Sequence, residues 1–364
     1  MSAFTSENIA EKSAIGILKL TKVTIKDVAD LAGVSFKTVS RVINHEGTVK
    51  PDTLTKVSKA IASLNYQPNT AARSLAGSKA FALGFIYDNP NAYYVIDMQR
   101  GILDECGRKG CELLIHPCES SQANIMTEIQ QMVKRTQLSG LIISPPLSEN
   151  LALMKEVSEL GIDFVRLVSG DNKTKELSSC VFINDSDAAH SIVEHLITLG
   201  HKKIAFISGE KDHKSTLERQ RGYLRAMQEN GLDVDSDWLV EGRYSFDSGV
   251  EGAQYLMKTK NRPTAIFACN DEIAAGALLA VRLEGFEIPN EISIAGFEDS
   301  PFSRQTVPQL TTAAQPTKQI ASLAAELLID NITKRKGSMG SEGDLHHKVF
   351  TPVLVERGST GRPT

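Results

Sequence analysis

The chain has 364 residues, 41% of them hydrophobic and 23% charged, which is ordinary globular composition and length enough for a small domain plus a larger, two-lobed domain. There is no uninterrupted apolar run of about 18 residues, and residues 1–20 lack a secretory pattern because the apolar stretch at 14–18 is short and broken by Gly16, so no membrane span is expected and a cytosolic location is. The net charge of −4 is unevenly placed: residues 21–79 hold nine Lys or Arg against four Asp or Glu, a surplus of +5 that leaves −9 on the rest, as suits polyanion binding confined to one end.

Residues 1–20 show no clear periodicity and read as a disordered tail. From 24 to about 66 the pattern is helical. Thr24-Ile25-Lys26-Asp27 has the form of a capping box with Asp in place of the usual Glu. Val28, Ala29, Leu31 and Ala32 make the apolar stripe of this first helix, and Gly33 stops it. Ser35 caps a second helix over 36–44, and Pro51-Asp52 opens a third that runs to Leu64, with Leu54, Val57, Ile61 and Leu64 at helical spacing. Two helices joined by a tight glycine-containing turn predict a helix-turn-helix. On the second, Val39, Val42 and Ile43 share one side, while Phe36, Lys37, Ser40, Arg41 and Asn44 share the other. Such a face can contact base edges, a thymine methyl and phosphate, although a merely solvated face has the same composition. Residues 69–77 are helix-compatible but too few to be stable alone in water, so they read as a conditional linker.

From Phe81 the rhythm changes. Apolar runs at 81–87, 113–116, 141–144, 164–168, 181–183, 204–208, 265–268 and 293–297 alternate with helical stretches at 93–109, 125–136, 151–160, 188–199, 217–230, 248–260, 272–284 and 317–334. The alternation predicts parallel sheets wrapped by helices, with ligands gathered beyond the carboxyl ends of the strands. Those ends are polar: Asp88-Asn89 followed by Tyr93-Tyr94, then Asn184-Asp185, Asn270-Asp271 and Glu298-Asp299. Carboxylates, amides and aromatic faces suit a polyhydroxylated ligand. Capping of the following helices is the competing use, and it is the one expected of Asp185, Asp187 and Asp271. The five cysteines, Cys106, Cys111, Cys118, Cys180 and Cys269, are odd in number and contain no CxxC, so neither a disulfide framework nor a zinc site is expected; they read as small buried hydrophobes.

The stretch V-T-I-K-D-V-A-D-L-A-G-V-S-F-K-T-V-S-R-V-I-N at 23–44 resembles, almost position by position, the head of the lactose-repressor (LacI/GalR) family of bacterial regulators. L-N-Y-Q-P-N-T-A-A-R-S-L-A-G at 64–77 is similar to the family's third-helix end and hinge. The likeness resumes at E-R-Q-R-G-Y (218–223), C-N-D-E-I-A (269–274), G-F-E-D (296–299) and P-V-L-V-E-R-G-S-T-G (352–361). It implies an all-α helix-turn-helix head at 21–68, a hinge helix at 69–78, and an α/β sensor at 79–364. That sensor has two lobes with parallel sheets, like periplasmic binding proteins of type I: the first at about 80–180 and 310–340, the second at about 181–309 and 341–364.

The resemblance also implies roles. Phe36, Lys37 and Arg41 read bases in the major groove, and Thr24, Ser35, Thr38 and Asn44 hold phosphates. Ala72 and Leu75 press into the minor groove, Leu75 as the wedge that unstacks a base step. In the sensor, Tyr93 and Tyr94 line the pocket from the first lobe. Arg219 grips the ligand from the second, with Asn270, Glu298, the stacking Tyr244, and His213 and Ser215 from a loop; Asp88 and Arg166 complete the set. Glu298 departs from the family's more usual Asp by one methylene, which bears on ligand size.

The implied protein is a homodimer on double-stranded operator DNA. It is implied to repress carbohydrate-utilisation genes and to be released by a sugar or sugar-derivative inducer; the alternative is a corepressor-dependent regulator sensing a purine or other small metabolite. A sugar transport protein shares the sensor's fold, but the head and the missing secretory pattern argue against it. No GxGxxG follows a strand, and neither GxxxxGK[ST] nor GxSxG occurs; the histidines, including His346-His347, lack metal spacing. Catalytic residues, metals and cofactors are therefore not expected.

Overall fold

In a computed structural model the chain is described at residues 23–43, 49–64, 66, 82–89, 91–170, 176–337 and 345–364. It divides into two compact units, Met1–Ala80 and Phe81–Thr364. The expected tail, the hinge at 69–78, and Asn44, Ala72 and Leu75 lie outside the described residues.

The first unit holds helices α1 (Ile25–Ala32), α2 (Phe36–Ile43) and α3 (Pro51–Ser63). Both halves of the capping box form: the Asp27 N–H donates to Thr24 Oγ1 at 3.4 Å, and the Thr24 N–H donates to Asp27 Oδ2 at 2.6 Å. Gly33 ends α1 at φ 65°, ψ 36°, a left-handed conformation that glycine adopts without the Cβ penalty. The core is made of small side chains, Val28, Ala29, Val39, Val42, Val57 and Ala60, as short helices in close contact require. Leu31 and Leu54 depart from the expected stripes and are 57% and 46% exposed. Helical spacing explains Leu31: Ile25, Val28, Ala29 and Ala32 cluster on one side, and Leu31 falls past its edge.

In the second unit, β1 (Ala82–Tyr87), β2 (Glu112–Pro117), β3 (Gly140–Ile143), β4 (Asp163–Ser169), β5 (Ser179–Ile183) and β11 (His347–Phe350) form a parallel sheet in the order β11-β5-β4-β3-β1-β2. Helices α4 (Ala92–Lys109), α5 (Ile125–Thr136), α6 (Leu151–Glu159) and α12 (Thr317–Gly337) belong to this first lobe. The second lobe has a parallel sheet β7-β6-β8-β9, from β6 (Ile204–Ile207), β7 (Leu239–Val240), β8 (Ala265–Ala268) and β9 (Ser293–Ala295). Around it lie α7 (Asp185–Thr198), α8 (Lys214–Glu229), α9 (Phe246–Lys258), α10 (Asp271–Leu283) and α11 (Pro301–Gln305). The antiparallel pair β10 (Thr312–Ala314) and β12 (Val353–Val355) joins this lobe through bridges 295–311 and 298–314. Strands β3, β6 and β8 are buried at every residue, which is why they read as unbroken apolar runs.

The strand pairings differ from the expected lobe boundaries in two places. β11 pairs with β5, so residues 347–350 belong to the first lobe, and β10 pairs with β12, so residues 312–314 belong to the second. The chain thus crosses between lobes after β5, between β10 and α12, and between β11 and β12. These strands are only three or four residues long, so only their partners assign them. Among the described residues no helix is long and apolar enough to cross a membrane.

Helices α9 and α10 touch backbone to backbone. A Cβ at Gly276 would lie 2.0 Å from the Phe246 carbonyl oxygen, and one at Gly249 2.0 Å from that of Ile273. Gly276→Ala is therefore expected to destabilise the protein by about 1–3 kcal/mol in urea unfolding, because no side chain can rotate to make room. Unchanged stability would mean that the two helices separate freely.

Candidate ligand cleft and nucleic-acid interface

In the first unit, α2 presents two opposed faces. Val39 and Val42 are buried, while Phe36 (60% exposed), Lys37 and Arg41 face outward. Ser35 starts the helix by accepting the Thr38 N–H at 3.2 Å, and its hydroxyl lies 2.9 Å from Thr38 Oγ1. Thr24 is likewise engaged in its own cap, donating from Oγ1 to Asp27 at 2.7 Å. Ser35 and Thr38 therefore stand together at the N-terminal end of α2, where helix N–H groups favour an anion.

The cleft lies in the second unit, at the carboxyl ends of the parallel strands. Its walls are Asn89, Asn91, Tyr94, Pro145, Ser169 and Ile183 from the first lobe, and Asp185, His213, Ser215, Arg219, Tyr244, Asn270 and Glu298 from the second, with Gln315 on a crossing segment. The two lobes meet across the cleft. Asn91 Nδ2 donates across the gap to Glu298 Oε2 at 2.8 Å, and the Tyr93 ring meets Phe302 edge-on at 5.6 Å.

Arg219, on α8, is buried at the centre. Nε donates to Asp185 Oδ1 at 2.9 Å and Nη1 to the Cys269 carbonyl at 2.7 Å. Nη1 also lies 3.4 Å from Glu298 Oε1, and the guanidinium sits 3.9 Å over the Phe297 ring. Burial pushes the Glu298 carboxyl up, and the Arg219 charge only partly offsets it. Glu298 is held at φ 103°, a strained backbone for a residue with a Cβ and a mark of a site held in place by its surroundings. The Tyr244 hydroxyl is tied to Ser215 at 3.1 Å, Thr216 at 2.9 Å and Cys269 Sγ at 3.4 Å; burial lowers the pKa of the adjoining His213.

Three buried polar atoms on the lining have no hydrogen-bond partner: Asp185 Oδ2, Asn270 Nδ2 and Gln315 Oε1. Two acceptors and one donor group left unmet in the cleft are what a ligand hydroxyl array satisfies, since a hydroxyl both donates and accepts.

Of the predicted ligand residues, Tyr94, His213, Ser215, Arg219, Tyr244, Asn270 and Glu298 come together. Tyr93, Asp88 and Arg166 are not on the lining. Tyr93 and Tyr94 are successive on α4, so when one turns inward the other turns away. Asp88 Oδ2 accepts from the Ser120 N–H at 2.8 Å and its hydroxyl at 2.6 Å. Arg166 is fully buried in β4 and donates to Ser178 Oγ at 2.9 Å. It sits three residues, about 10 Å of strand, short of the lining residue Ser169. The caps also differ from expectation. Asn184 and Asn270 cap α7 and α10; Asp185 pairs with Arg219, Asp187 with Arg225, and Asp271 accepts from Thr312 Oγ1 and the Ser300 N–H. Asp271, buried, is pushed up to about 8.

Glu149, missed in the sequence, adds a titration beside the cleft. It accepts the Ser169 N–H at 2.9 Å and is pushed up to about 7 by burial, against the Ser169 N–H and Lys214, with Asp185 acting in the same upward direction. Folding therefore takes up a proton at this carboxyl. The stabilisation is full below an ordinary carboxyl value of about 4.5 and fades as pH rises to about 7. The protein is expected to lose folding stability as pH rises through this window, by at most about 1.4 kcal/mol per pH unit. Urea unfolding across that range should show the slope, and Glu149→Gln should flatten it.

Comparison with known proteins decides the family. Residues 24–69 match the lacI family of bacterial regulatory proteins, and residues 193–360 match a periplasmic binding protein-like domain. Over 315 residues the chain is 34% identical to catabolite control protein A of Priestia megaterium, covering 86% of this chain and 93% of that one. The chain belongs to the LacI family of transcriptional regulators. It is 32% identical to the HTH-type transcriptional repressor PurR of Haemophilus influenzae (strain PittEE) over 338 residues, 92% of this chain and 98% of that one. Among solved structures, this LacI-family chain superposes on the Lac repressor dimer bound to operator and the anti-inducer ONPF with a TM-score of 0.74 at 26% identity, covering 93% of this chain and 99% of that one. It superposes on the transcriptional regulator CelR–cellobiose complex at 0.69 and 25%, with the same coverage. As a LacI-family repressor it binds operator DNA, responds to a small molecule, and is not an enzyme.

Proposed function

We propose that this LacI-family repressor is a homodimer that controls carbohydrate-utilisation genes and leaves its operator when a neutral sugar occupies the cleft. The observation that carries this is the cleft with Asp185 Oδ2, Asn270 Nδ2 and Gln315 Oε1 unmet around Arg219. Arg219 already spends its charge on Asp185 and Glu298, so an anionic group such as a phosphate would meet a surplus of carboxylates. A neutral polyol meets no such surplus, and Tyr94 and Tyr244 offer apolar faces to its C–H groups. The similarity to the CelR–cellobiose complex supports the same reading. Closure on the sugar shifts the dimer's first lobes and with them the hinges, and operator affinity changes by as much as the ligand discriminates between the two states. The similarity to PurR repressors favours a second reading, a corepressor of purine or other metabolite type.

A melting screen against monosaccharides, disaccharides, their phosphates and purines tests this. A ligand at about 100 times its Kd adds about 2.7 kcal/mol of stability. A neutral sugar that raises the melting temperature and releases the gene's own upstream DNA supports the proposal. A purine that raises it and tightens DNA binding supports the second reading and removes the first.

A further inference from the structure

We propose that His116, Cys118 and Glu128 form a binding site for a divalent transition-metal ion of the zinc type, on the edge of the first lobe and outside the cleft. β2 is the edge strand, and Cys118 follows it directly. The Cys118 N–H donates to the Tyr87 carbonyl at 2.8 Å, so the extended ladder with β1 continues past β2. Residues 116 and 118, two apart on an extended segment, therefore share a face. Glu128, in the first turn of α5, meets that face.

One ligand atom from each residue, an imidazole nitrogen, a thiol sulfur and a carboxylate oxygen, lies within 4.8 Å of the other two. Ligands held about 2.0–2.3 Å from a tetrahedral ion stand roughly 3.3–3.8 Å apart, so small side-chain rotations are enough. His116 Nε2 stands 2.8 Å from Glu128 Oε1, so the two side chains already meet as an ion pair when the ring is protonated.

The charge around the thiol favours a cation. The carboxylates of Glu128 and Asp88 both stand near the thiol. Metal binding replaces the thiol proton, which leaves to solvent, and completes a sulfur, nitrogen and oxygen donor set suited to zinc-type ions. Cys118 is buried, but His116 and Glu128 side chains are 20% and 33% exposed and give the ion a way in. The cluster His190, Glu194 and Glu229 has no sulfur and serves as a control. The bound ion would clasp the end of β2 to α5 beside Asp88, one residue from the cleft residue Asn89.

Cobalt titration of the metal-free full chain tests the assignment. One equivalent of Co²⁺ should raise a thiolate-to-cobalt charge-transfer absorption that Zn²⁺ displaces. The band should vanish in Cys118→Ser and His116→Ala and persist in His190→Ala. Glu128→Gln changes a partly exposed helix residue and tests the site even if the cysteine variant fails to fold; it should weaken Co²⁺ at least about tenfold, with circular dichroism unchanged. The proposal is overturned by a parent chain without the band, by a band that survives Cys118→Ser, or by Glu128→Gln binding Co²⁺ as tightly as the parent.

Discussion

Replacing Arg219 with alanine is expected to lower the unfolding free energy by about 3–5 kcal/mol and to erase the ligand response with it. The side chain is buried, with bonds to Asp185 at 2.9 Å and the Cys269 carbonyl at 2.7 Å and an ion pair to Glu298 at 3.4 Å. Its removal strands two carboxylates in a space closed to bulk solvent and bares the Phe297 face. Asp185 already has one oxygen without a partner and would then lose the partner of the other. Arg219→Lys keeps a charge but loses the planar fork and should fall between the parent and the alanine variant. Urea unfolding measures both. If the alanine variant is within about 1 kcal/mol of the parent and still binds the sugar, Arg219 does not organise the cleft.

Replacing Arg41 with alanine is expected to weaken operator binding by about 1–3 kcal/mol and to relax the preference at one base pair. Arg41 lies on the exposed face of α2 with Phe36 and Lys37, opposite the buried Val39 and Val42. The fold of the head should survive, because its core is made elsewhere, and circular dichroism would confirm that. Gel-shift titrations on the operator and on single-base variants separate two uses of the charge. A loss confined to one position assigns base reading. A loss equal across all sequences, with a salt slope smaller by about one, assigns a phosphate contact and removes Arg41 from the readers.

What could be read in advance depended on range. The Thr24–Asp27 box, the Gly33 stop and the split face of α2 are decided within four residues, by sterics and by backbone groups seeking partners. The polar strand ends of the sensor were legible for the same reason: strands and helices have fixed periods, and the alternation locates the end of each parallel strand. Roles at those ends were not. Asn184 and Asn270 capped the helices expected to be capped by the aspartates beside them, because a shift of one residue there turns a side chain from backbone to cleft. Arg166 read as a pocket residue by charge and family position, yet depth along β4 put it in the interior.

The amino-acid sequence by itself determined the helix-turn-helix head, the α/β character of the sensor, the family, and most of the cleft's second-lobe wall. Only the tertiary structure decided which lobe owns β10 and β11, which side of α4 lines the cleft, that Asn91 reaches Glu298 across 207 positions, and that Glu128 meets His116 and Cys118. Periodicity and capping are local and repeat along the chain. A strand's partner and a side chain's neighbours from distant segments are fixed only when the sheets pair and the lobes close.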